Sequence, residues 1–205
     1  LGILRGDDDA TDVASSTPVV TINAFSAISR SRFSLACLAM DSKSTANLLD
    51  TYRHKGLRKA LLGKLREMGI EDDRVFDAMD RVPRHHFMDD AFVHFAYDNK
   101  AFRIGAGQTI SHPYTVARQT ELLDLRSGAN VLEIGTGSGY QCAVLVAMGF
   151  KVHSIERQKD LYDRTTPFLK RLGYRAHCYY GDGYKGKGTE IPEHRLSGAR
   201  QNCVA

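Results

Sequence analysis

Glu133, Gly135, Gly137 and Gly139 follow one another at alternate positions in VLEIGTGSGYQ, residues 131–141. The apolar residues before them read as a buried strand and those after them as a helix. A bare turn at that junction lets a ligand approach the backbone without meeting a Cβ, and the helix start offers free N–H donors. A dinucleotide fingerprint needs its third glycine five positions after the first, and here that position is Tyr140. A nicotinamide dehydrogenase is therefore disfavoured. Glu133, an acid at the strand end, is poor company for a pyrophosphate and good company for a cation.

Two further acids fall in the same pattern. Glu156 ends the next strand-like run, KVHSIE, 156 − 135 = 21 residues on, where a carboxylate can accept from both hydroxyls of a ribose. Asp182, in YYGDGY, ends the run after that and could accept from an adenine amino group. Carboxyl ends of successive parallel strands share one rim, so the three acids are expected to line one crevice. A positively charged adenosyl compound, S-adenosylmethionine, suits such a seat. Each feature alone also has a plain structural reading: a tight turn, a helix N-terminal acid, an Asp-Gly turn.

The elements that must position these residues are legible. NVLEIG, GYQCAVLVAMG, KVHSIE, KDLYDRTTPFLKRLG and RAHCYYGDG alternate strand and helix, which predicts a parallel sheet with right-handed crossovers. Upstream, from Asn47 to Met68, Leu48, Leu49, Tyr52, Leu57, Leu61, Leu62 and Leu65 recur at helical period and predict a helix that ends at Gly69. EDDRVFDAMDRV reads as a second helix that stops before Pro83, and a third starts after Pro113. Tyr97 and Phe102 are expected in the core or a cleft wall. Residues 1–39 are polar and Ser/Thr-rich, with weak strand potential in VVTINAF. They are expected to be a disordered extension. The chain begins with Leu1, and Met40 resembles a natural start, so a pro-region, a transit peptide or translated upstream sequence could precede it.

Composition sets limits. With 205 residues and 42% hydrophobic content, one domain with a substantial core is expected. The net charge of +4 arises from 28 basic and 24 acidic residues spread along the chain, so no nucleic-acid partner is expected. No apolar run reaches the roughly 20 residues that a bilayer demands, so no membrane partner is expected either. Four cysteines lack metal-binding spacing and read as reduced thiols, in keeping with a cytoplasmic protein. His85 and His86 are adjacent, but the sequence places no further ligands beside them. No metal site is expected.

IGAGQTISHPYTVARQTELL followed by VLEIGTGSGYQ, SIERQ and GDGYKG resembles the protein-L-isoaspartate(D-aspartate) O-methyltransferase family over about residues 52–186. The glycine motif is common to many methyltransferases, and the GQTIS-x-P segment is the specific part. The resemblance implies a Rossmann-like S-adenosylmethionine-dependent fold, an α/β architecture with a parallel sheet and helices on both faces. It implies methyl transfer to isoaspartyl residues of damaged proteins, for repair. Ser111 matches the active-site serine, with Thr109 and Ile110 beside cofactor and substrate. Glu133, Gly135, Gly137 and Ser138 match the methionine-binding loop, Glu156 the ribose acid, and Asp182 with Gly183 the adenine pair. His112 stands where relatives often carry glutamine or a small residue, and reads as a loop histidine.

The expected organisation is an N-terminal helical and substrate-side region over 40–112, a partial cofactor-binding domain over 113–186, and an unmatched tail over 187–205. Family members continue with further strands. Their absence would leave NVLEIG at a sheet edge, with unpaired backbone groups and an exposed apolar layer. A truncated or frame-shifted copy is the corresponding expectation, and a non-catalytic cofactor-binding remnant or an inert fragment the alternative to an enzyme.

Overall fold

The structure, a computed structural model, describes residues 48–183 together with the backbone of residues 19–23. Its centre is a four-stranded parallel sheet in the order β1–β4–β5–β6, made of β1 (Val19–Asn23), β4 (Asn130–Ile134), β5 (Lys151–Glu156) and β6 (His177–Tyr180). A separate antiparallel hairpin, β2 (Phe102–Gly105) and β3 (Gln108–Ile110), lies between the helical N-terminal part and the sheet.

Helix α1 (Tyr52–Glu67) starts at Thr51, whose hydroxyl accepts the His54 N–H at 3.4 Å, and the His54 ring folds back toward the Leu49 carbonyl, 3.0 Å from Nδ1. It begins at Tyr52 and not at Asn47, so Leu48 and Leu49 lie ahead of it; Leu61 and Leu65 are buried, Leu57 is exposed, and the helix ends before Gly69, which takes a left-handed φ of 90°. Helix α2 (Asp73–Arg81) is capped by Asp72, and Pro83 follows its extended C-cap Val82. Two 3₁₀ segments, Arg84–Phe87 and Asp90–Phe95, then lead to the hairpin. Helix α3 (Pro113–Glu121) begins on its proline, whose missing N–H would be an orphan there in any case.

Helix α4 (Tyr140–Ala147) is apolar all round because it packs against α2 and β5, and Tyr140 to Leu145 are buried. Helix α5 (Lys159–Arg171) tolerates Pro167 and turns Leu161, Thr165, Phe168 and Leu169 inward. β5 is buried at five of its six residues, as a strand between two neighbours should be. The parallel α/β sheet is thus as expected.

One expectation changes. The outer side of β4 does not lie open: β1 pairs with it in parallel along its whole length, from Val19 opposite Asn130 to Asn23 opposite Ile134. Residues 19–23, expected within a disordered extension, supply this strand. β-branched Val19, Val20, Thr21 and Ile22 suit an extended backbone, and pairing satisfies the N–H and C=O groups along β4. The rest of the segment 1–39 and the tail 187–205 lie outside the described residues.

Candidate functional site

The glycine turn is held from several directions. Gly135, Gly137 and Gly139 all adopt positive φ (93°, 54° and 85°), a region that L side chains enter only with strain. The Gly135 N–H donates to the Ile155 carbonyl at 2.7 Å, which joins the turn to the end of β5. Thr165 of α5 donates to the Gly137 carbonyl at 2.7 Å. A Cβ on Gly139 would lie 2.9 Å from Thr165 Cγ2 and 3.1 Å from Leu169, so α5 packs on the bare backbone itself.

Glu156 clasps the same turn. Its Oε2 accepts the Gly137 N–H and its Oε1 the Gln158 N–H, both at 2.8 Å, and it is almost wholly buried. Its carbonyl accepts the Gly181 N–H at 2.9 Å, which brings β6 and the following Asp182 and Gly183 to the same rim. Gly183 sits flush against β4, where a Cβ would come within 2.8 Å of Ile134 Cγ2. Asp182 and Gly183 are half-buried, as are Gly137 and Ser138. The ends of β4, β5 and β6 therefore converge on the glycine turn.

Glu133 departs from the expected place. It is completely buried, and Ser154 donates to its Oε2 at 2.5 Å. Ser154 is in turn 2.5 Å from the Thr136 hydroxyl, so Glu133, Ser154 and Thr136 form a short buried chain under the turn. Burial pushes the Glu133 carboxyl up to about 8 against the pull of Ser154, so a proton resides on it at pH 7. The reason is strand parity: Glu133 shares a buried face with Val131, while Leu132 and Ile134 are half-buried on the other. Of the three acids expected at one open rim, Glu156 and Asp182 are brought together and Glu133 lies beneath.

Ser111 follows β3 directly and is half-buried, with Thr109 half-buried and Ile110 buried in the strand before it. The hairpin reaches the glycine turn through Ile104, whose Cδ1 lies 3.5 Å from the point where a Gly137 Cβ would be. Arg164 of α5 fixes the hairpin by donating to the Ile104 carbonyl at 3.1 Å. His112 is exposed and begins α3 without a side-chain cap. Tyr97 is buried, and Phe102 packs against the core, as expected.

Arg84 was missed by sequence reasoning. Wholly buried, it donates from Nη2 to the carbonyls of Ser111 at 2.8 Å and Lys100 at 3.3 Å, and its guanidinium carbon lies 4.9 Å over the Tyr140 ring. Burial lowers its pKa to about 10, opposed by the Tyr140 hydroxyl, and it remains cationic at neutral pH. It thus pins the Ser111 turn to the core. Nothing in VPRHHF signals that contact, because its partners are backbone carbonyls 16 and 27 residues away. Thr136, Ser154, Arg164 and Thr165 were equally silent in the sequence, because their partners lie 18 to 60 residues away along the chain.

Comparison with known proteins points to one family. The family model described as Protein-L-isoaspartate(D-aspartate) O-methyltransferase (PCMT) matches residues 56–197, running past Gly186, where the resemblance was expected to stop. Curated proteins named protein-L-isoaspartate O-methyltransferase from Cytophaga hutchinsonii and Christiangramia forsetii are 54% identical over 147 residues and 55% over 146, covering 72% and 71% of the chain. The chain spans about two thirds of their length, 66% and 67%. A solved protein-L-isoaspartate O-methyltransferase from Plasmodium falciparum, in complex with S-adenosyl-L-homocysteine, superposes with TM-score 0.54 at 26% identity, over 68% of this chain and 67% of that one. A turn clasped by Glu156, strand ends gathered at Gly183 and a hairpin leading into GQTIS, with a family match over most of the chain, place this protein in the protein-L-isoaspartate(D-aspartate) O-methyltransferase family.

Proposed function

We propose that this chain binds S-adenosylmethionine at the rim of β4, β5 and β6 and transfers its methyl group to the free carboxylate of L-isoaspartyl and D-aspartyl residues in damaged proteins, for repair. One observation carries the reading: the three strand ends meet at a glycine turn against which the hairpin leading to Ser111 is packed. The names of the curated relatives support the reaction, and the adenosyl compound in the P. falciparum structure supports the cofactor.

The donor set suits that cofactor. Glu156 is an acceptor at a strand end, the neighbouring turn carries no Cβ at Gly135 or Gly137, and no Lys or Arg lies between residues 130 and 150 to favour a phosphate. When bound, the cofactor supplies an electrophilic methyl group on a sulfonium. Each Glu156 oxygen accepts one backbone N–H and retains a lone pair for a ribose hydroxyl. Gly135, Gly137 and Ser138 admit the methionine end, Asp182 with Gly183 serves the adenine, and Thr109 and Ile110 border both cofactor and substrate. Glu133 supports the turn through Ser154 and Thr136 instead of touching the ligand.

Ser111 orients the acceptor carboxylate, and Arg84 holds the Ser111 backbone still. A carboxylate with pKa near 4 is already ionised at pH 7, so no strong general base is needed. With the cofactor bound, the methyl would pass to the carboxylate oxygen as its bond to the sulfonium breaks, leaving a neutral thioether, and alignment is what these residues contribute, worth several kcal/mol. Among the described residues no helix is long and apolar enough to cross a membrane.

Calorimetry with S-adenosylmethionine and methyl-ester formation on an isoaspartyl peptide test the proposal together. Binding with ester formation is expected. Binding without ester would make the chain a non-catalytic cofactor-binding protein, and absence of both would overturn the reading.

A further inference from the structure

We propose that Asp50, His54 and His85 form a binding site for a borderline divalent metal ion such as zinc, separate from the methyl-transfer rim. Asp50 and His54 flank the start of α1, and His85 lies on the 3₁₀ segment after α2. The fold brings one ligand atom from each within 4.8 Å of the others. This supplies the companions that the sequence did not place beside His85.

The hydrogen bonds prepare both imidazoles for ligation. His85 is buried, its Nδ1 lies 2.8 Å from the Tyr97 hydroxyl, and its Nε2 is buried without a hydrogen-bond partner among the described residues. With the Nδ1 proton directed at the Tyr97 oxygen, which also accepts from Arg58 Nη1 at 3.1 Å, Nε2 would present a lone pair to an ion. His54 Nδ1 lies 3.0 Å from the Leu49 carbonyl, which can only accept, and this contact is closer than the 3.4 Å approach of the Thr51 N–H. The proton on Nδ1 leaves His54 Nε2 free to ligate. A ring held by its other nitrogen is the usual arrangement around a bound metal.

Asp50 contributes charge. Arg58 grips its two oxygens at 3.0 and 2.9 Å, and each oxygen retains a further lone pair. The same bonds fix the carboxylate's orientation, as hydrogen bonds to ligating carboxylates do. Two imidazoles and one carboxylate suit zinc and its neighbours, whereas magnesium and calcium prefer oxygen alone. Three ligands leave room for water. The two rings now stack at 3.9 Å with a 33° tilt, so ligation would open that tilt. An ion here would tie the start of α1 to the segment whose next-door Arg84 holds Ser111.

The test is calorimetric titration of zinc chloride into the full chain after chelator treatment, with cobalt absorption as a second probe. One zinc per chain is expected, with affinity lowered at least about tenfold in both His54→Gln and Asp50→Asn. His54→Gln keeps a Gln at the third helical position, where it can preserve the cap, so its fold should survive and circular dichroism checks both variants. No uptake by the folded wild-type chain, or equal uptake by the wild type and both variants, would overturn the site.

Discussion

Replacing Glu133 by Gln tests whether the acid beneath the glycine turn is neutral. In the native protein its carboxyl titrates at about 8, because burial outweighs the Ser154 hydrogen bond, while in the unfolded chain it titrates near 4.5. The native state therefore holds a proton that the unfolded state releases between those values. Stability contributed by Glu133 is complete below pH 4.5, falls as pH rises, and levels off above pH 8. The slope is at most about 1.4 kcal/mol per pH unit, so roughly 3 kcal/mol is lost by pH 7. Gln keeps the shape and an acceptor for Ser154 but does not titrate. Its new amide donors add a pH-independent cost of about 1–3 kcal/mol if unpaired. Urea unfolding of both proteins at pH 5, 6, 7 and 8 isolates the titration: the variant should gain on the wild type steadily across the series. Parallel profiles would refute the buried, protonated carboxyl and return Glu133 to an ionised place at the open rim.

Gly139→Ala should destabilise the fold by about 2–4 kcal/mol in denaturant unfolding, since it combines left-handed strain with a Cβ 2.9 Å from Thr165 Cγ2. Ser111→Ala should lower turnover on an isoaspartyl peptide while calorimetry finds cofactor affinity within a few-fold; a matching loss of cofactor binding would contradict its assignment to the substrate. Glu156→Gln should weaken S-adenosylmethionine binding by about 1–3 kcal/mol, because a charged acceptor is lost where ribose hydroxyls would bond, and unchanged affinity would remove Glu156 from the ribose contact.

The sequence by itself determined the features that depend on neighbours along the chain. Helix α1 was legible from its leucine period and Gly69, α3 from Pro113, and the β4–turn–α4 junction from three glycines after an apolar run. Glu156 and Asp182 were legible because a strand that ends in an acid delivers it to the sheet's carboxyl rim whatever lies around it. Tertiary structure alone decided the rest. Glu133 is one residue from Ile134, and only the packing of β4 set which face each occupies. Arg84 reaches carbonyls, which carry no side-chain signature, and β1 lies 111 residues before its partner, Val19 opposite Asn130. Asp50 and His54 meet His85 only because α1 folds back on the segment after α2. Local periodicity is written in spacing, whereas contacts between distant segments depend on how whole elements pack, and no short stretch of residues records that.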